Sequence, residues 1–71
     1  MKLPTTTYSE DEKITTFHTG RFHYTAEDNK VIVSKTGLTS LDIELIASYE
    51  FANNDDAVDN AYKMAFKQAN Y

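Results

Sequence analysis

There is no cysteine in the chain, which excludes disulfides and thiolate metal sites and fits a reducing compartment. Nor is there any run of 18 apolar residues, and the opening "MKLPTTTYSEDE" lacks the apolar core of a secretory leader. A soluble, unexported, cytoplasmic protein is expected. Glycine is scarce: of the 2 glycines, neither stands in a phosphate-cradling loop or flanks a serine as in a nucleophile elbow. Lysine and arginine are missing altogether from 36 to 62. With 71 residues there is room for one domain, which hides only about 60% of the surface its unfolded chain exposes. A buried catalytic cleft with its supporting shell is disfavoured, and the expectation is a protein that is not an enzyme and needs no cofactor.

What is present is acid. Asp and Glu number 11 against 7 Lys and Arg, for a net charge of -4. The base-free stretch holds Asp42, Glu44, Glu50, Asp55, Asp56 and Asp59, so one part of the molecule should repel phosphates and attract basic surfaces. Residues 1–12, with Pro4, three threonines and the acids at 10 to 12, read as a flexible arm or an added edge strand. Residues 13–71 read as a single small domain.

From Lys13 the apolar period is two. In "FHTGRFHY", residues 17–24, a loop of Thr19 and Gly20 sets Phe17 opposite Phe22, Thr15 opposite Tyr24, and His18 opposite Arg21. A second turn at Asp28 and Asn29 sets Glu27 opposite Lys30, Ala26 opposite Val31 and Tyr24 opposite Val33. Both turns place Phe17, Phe22, Tyr24, Ala26, Val31 and Val33 on one face, an agreement that supports the assignment. A loop of Lys35, Thr36 and Gly37 then pairs Val33 with Thr39 and Val31 with Leu41. Leucine, glutamate and alanine in "LDIELIASYEF", residues 41–51, favour helix, with Thr39 or Ser40 as a cap. Alternation favours strand: Leu41, Ile43, Leu45, Ala47, Tyr49 and Phe51 face one way and Asp42, Glu44, Ser48 and Glu50 the other, with Ile46 the misfit. Residues 54–69 read as a helix capped by Asn54, acidic early and basic late, with an Asp59 and Lys63 pair. Its inward stripe is Val58, Ala61, Tyr62, Ala65, Phe66 and Ala69. The expected fold is α+β, an antiparallel four-stranded β-meander with one C-terminal α-helix packed on its apolar face.

On this register the aromatics of "FHTGRFHY" are core, and His18, Arg21 and His23 form a secondary polar surface on the open face. The two histidines stand diagonally, Cβ atoms about 7 to 8 Å apart, and no third ligand is evident, so no metal site is expected. Asp55 and Asp56 lack the glycine and terminal glutamate of a calcium loop. Same-side residues two apart on a strand project about 6.6 Å apart, so Asp42, Glu44 and Glu50, continued by Asp55, Asp56 and Asp59 at the helix start, are expected to form an elongated acidic partner-binding surface resembling a nucleic-acid backbone. Ile46 and Ser48 interrupt this row, and a plain solvated face is the competing reading.

The leading expectation is a small acidic interaction module that covers a basic site on a larger protein, such as one that handles nucleic acid. By analogy of size and charge, that is the format of phage-type inhibitors of restriction, CRISPR, nuclease or polymerase machinery. Two alternatives are a nucleic-acid-binding module reading through its sheet face, which the charge balance disfavours, and a homodimeric accessory subunit built on Ile14, Ile32 and Ile46 of the face away from the helix.

Overall fold

The computed structural model describes residues 1–11, 13–37 and 42–71. Among these described residues five antiparallel strands lie in chain order across one sheet: β1 Thr5–Ser9, β2 Ile14–Thr19, β3 Phe22–Glu27, β4 Lys30–Thr36 and β5 Ile43–Glu50. One helix follows, α1 Asn54–Ala69. The α+β meander expected from the sequence is present with one strand more than expected. The arm supplies it, since Thr5 pairs with His18, Thr7 with Thr16 and Ser9 with Ile14. β-branched threonines suit an edge strand, but Thr5 to Tyr8 are exposed, so there is no hydrophobic alternation to announce it.

The β2–β3 loop is Gly20 and Arg21, one residue later than expected. Pairing therefore moves by two: Phe17 faces Tyr24, His18 faces His23 and Thr19 faces Phe22. The cause is local. Gly20 has φ +58, and a glycine with positive φ belongs at the first central position of a tight hairpin turn. A shift of two leaves every side chain on its expected face, so the apolar surface survives the correction. The β3–β4 hairpin is as expected, with Glu27 opposite Lys30, Ala26 opposite Val31 and Tyr24 opposite Val33. Asp28 carries the positive φ there, at 54, a conformation aspartate tolerates better than most residues.

β5 is a strand, but its register differs from the expected one. Val31 pairs with Tyr49, not with Leu41, and Val33 with Ala47, not with Thr39. Thr39, Ser40 and Leu41, and with them the cap and the facing assigned there, lie outside the described residues. Between Val33 and Ser34 the register slips, because Ser34 pairs with Leu45. Ile46 is the extra residue of this β-bulge, which explains its misfit in the alternation. A bulge reverses the side on which subsequent residues emerge. Ile43 and Leu45, paired with Thr36 and Ser34, consequently sit on the face away from the helix and are 69% and 67% exposed.

The core lies between sheet and helix. Phe17, Tyr24, Ala26, Val31 and Val33 meet Ala57, Ala61 and Ala65, with Phe22, Ala47, Phe51, Val58 and Met64 around them. The three alanines have no exposed surface, so the helix backbone approaches the sheet closely. Its buried stripe is centred on Ala57, Ala61 and Ala65, rotated from the one expected. Tyr62 stays on the flank, edge-on to Phe17 at 5.5 Å. Asn53, not Asn54, is the N-cap: its side chain accepts from the Asp56 N–H at 2.8 Å. Asp59 and Lys63 form the expected i,i+4 ion pair at 2.9 Å.

Candidate functional site

The corrected hairpin register changes the histidines most. His18 and His23 are directly opposite rather than diagonal, with their Nδ1 atoms 2.7 Å apart and their rings nearly perpendicular at 87°. The Nε2 of His23 lies 2.6 Å from Thr36 Oγ1. At 2.7 Å the two Nδ1 atoms hold one proton between them, donated by one ring and accepted by the other. Burial, followed by the nearby His23, lowers the pKa of His18 from its ordinary 6.5. On the same face, Thr5 and Ser34 stand opposite His18 and His23 respectively, and Thr16 and Thr25 join their hydroxyls at 3.2 Å.

Arg21 does not join this surface. It belongs to the β2–β3 turn, where its carbonyl accepts from the Thr36 N–H at 2.8 Å. Two clefts of about 340 and 490 Å³ share Arg21 and Lys35 as walls; the first also takes in Asp42 and Glu44, the second Lys2 and Gln68. Lys35 lies over the Phe22 ring at 5.5 Å, on the helix side of the sheet.

The expected acidic row does not form. Glu44 pairs with Lys35 and Glu50 with Lys30. Lys35 shares the face of Phe22, whereas Lys30 points to the opposite face from its buried neighbour Val31, so the bulge sends Glu44 and Glu50 out on opposite sides. Asp42 precedes the strand, and its carbonyl accepts from the Gly37 N–H at 2.6 Å. Ile46, expected on the face away from the helix, instead lines a cleft with Tyr24, Val33, Ala47 and Met64.

Acidic charge gathers elsewhere. In a meander, alternate turns share one end of the sheet, which places Glu10 and Asp11 of the β1–β2 turn beside Glu27 and Asp28 of the β3–β4 turn and Glu50 at the end of β5. The helix begins at this same end. Asn54 Nδ2 donates to the Asp28 carbonyl at 2.5 Å, and the Phe51 N–H donates to Asn29 at 2.7 Å, which brings Asp55 and Asp56 alongside. Among the described residues Lys13 and Lys30 are the cations there, and Lys30 Nζ lies 3.9 Å from Glu50 Oε1. The far end carries Lys2, Arg21, Lys35 and Lys67. Of the six acids singled out in the sequence, Glu50, Asp55 and Asp56 come together, Asp59 lies one turn further along α1 and is paired, and Asp42 and Glu44 are at the opposite end. Reading turn charges along the meander is the signal that finds Glu10, Asp11, Glu27 and Asp28.

Among the described residues no three His, Asp or Glu side chains gather as a metal cluster, and no helix is long and apolar enough to cross a membrane. Compared with protein-family models, curated proteins and solved structures, the chain finds no match.

Proposed function

We propose that this protein is a small acidic interaction module that covers a basic site on a larger protein, blocking or regulating it with no chemistry of its own. One observation carries the reading: three separate segments deliver Glu10, Asp11, Glu27, Asp28, Glu50, Asp55 and Asp56 to one end of the molecule. A carboxylate-rich end complements surfaces that otherwise take phosphates, so the partner class is a nucleic-acid-handling protein, and the biological format is that of a phage-type inhibitor. Charge of this kind chiefly sets association rate and specificity and is screened by salt.

The test is capture from a bacterial lysate on immobilised protein at low and high salt. E10K/E50K reverses charge at the acidic end, and D42K/E44K makes the same net change at the other. A partner held at low salt, released at high salt, lost by the first variant and kept by the second is the expected outcome. Equal retention by both variants sinks the reading.

A further inference from the structure

We infer that the face away from the helix carries a two-histidine binding site for a borderline divalent transition metal, Zn²⁺ or Cu²⁺, held between the Nδ1 atoms of His18 and His23. The two ligand atoms converge: the nitrogens are 2.7 Å apart on adjacent, directly paired residues, with one proton between them. Two zinc-bound imidazole nitrogens, each about 2.0 to 2.1 Å from the metal, stand roughly 3.3 Å apart in a tetrahedral site. Small rotations of the two rings supply that difference without moving the strands. The near-perpendicular rings, at 87°, suit two corners of a tetrahedron.

The neighbours favour ligation. A ligating histidine normally secures its other ring nitrogen by a hydrogen bond that fixes the tautomer, and Thr36 Oγ1 stands 2.6 Å from His23 Nε2. With Nε2–H donating to Thr36, the Nδ1 lone pair of His23 points at the shared position. When the metal enters, the proton between the rings leaves Nδ1 for the Nε2 of His18, so the neutral pair binds the ion without net proton release. Thr5 and Ser34, opposite His18 and His23 in the strand pairing, put hydroxyls on the same face for metal-bound water. Two imidazoles with no carboxylate select against calcium and magnesium, and the affinity order places Cu²⁺ above Zn²⁺. Two protein ligands leave positions open to water or to a side chain of a bound partner.

Titration of the apo protein with Zn²⁺ alone, followed by long-range ¹H–¹⁵N spectra of the imidazoles, tests the site. Both Nδ1 resonances are expected to shift together at one zinc per chain. H18Q and H23Q should each weaken binding by at least about tenfold, and T36V by about tenfold with stoichiometry retained. The spectra use the unmodified protein, so a variant that fails to fold leaves the test intact. Imidazole signals unmoved at millimolar zinc would overturn the site. So would an H18Q/H23Q double variant that binds like the parent, since the carboxylate-rich end would then hold the ion.

Discussion

At His18 burial and the charge of a neighbour act in the same direction. Losing solvent disfavours the imidazolium, and the electrostatic effect of His23, whose Nδ1 lies 2.7 Å away, disfavours it again. The folded-state pKa is thus below the ordinary 6.5, so the unfolded chain binds the proton more readily. Stability from this residue is fully present above 6.5 and is lost as pH falls from there through the lowered folded value. Urea melts with a chelator present, at pH 7.5 and 5.5, should show a drop that is smaller in H18Q than in the parent. Equal drops would assign the acid sensitivity to other groups. Glycine acts by two different means at the turns. Around Gly20, at φ +58, an added Cβ meets nothing within 4 Å, so only backbone conformation demands glycine there. At Gly37 an added Cβ would lie 2.7 Å from that of Asp42, so the demand is for space.

Among the elements, the helix start separates two asparagines that look interchangeable in "ANNDD". Asn53 caps the helix by accepting from the Asp56 N–H, whereas Asn54 donates to the Asp28 carbonyl at an exposed position. N53A should cost about 1 kcal/mol of stability and N54A distinctly less, as read by urea unfolding; equal losses would contradict the cap assignment. The same pair shows how far local sequence rules reach. Composition places a cap at the helix start, but the choice between adjacent candidates depends on the contact with the β3–β4 turn. Period two in Phe17, Tyr24, Ala26, Val31 and Val33 was legible because each side chain is buried on one face. β1 was legible only as one of two alternatives, a flexible arm or an added edge strand, since its exposed threonines bury nothing that alternates. The bulge at Ile46 appeared in the sequence only as a misfit. Its consequence, the separation of Glu44 from Glu50, requires the pairing of β5 with β4. For the histidines, residue types pointed to a shared surface, but a loop displaced by one residue decided between a diagonal and a direct pair.

Over the whole molecule, one residue ties the two ends of the chain together. Asn70 follows the helix; its Nδ2 donates to the Lys2 carbonyl at 2.8 Å and its Oδ1 accepts from the Lys2 N–H at 2.9 Å. Its backbone N–H also donates to Phe66 at 3.1 Å. β1 otherwise depends on β2, because the helix packs chiefly on β2, β3 and β4. An edge strand held on one side opens locally at less cost than the core, and the Asn70 clamp raises that cost. At an exposed position each of the two hydrogen bonds contributes about 0.5 to 1 kcal/mol, and about 1.4 kcal/mol corresponds to tenfold in an equilibrium constant. N70A should therefore speed amide exchange in β1 by about an order of magnitude while leaving β3 and β4 nearly as protected as before. Unchanged β1 protection would mean that pairing with β2 alone holds the strand. A uniform loss of protection would instead place Asn70 in the global stability of the fold, through its cap on the last turn of the helix.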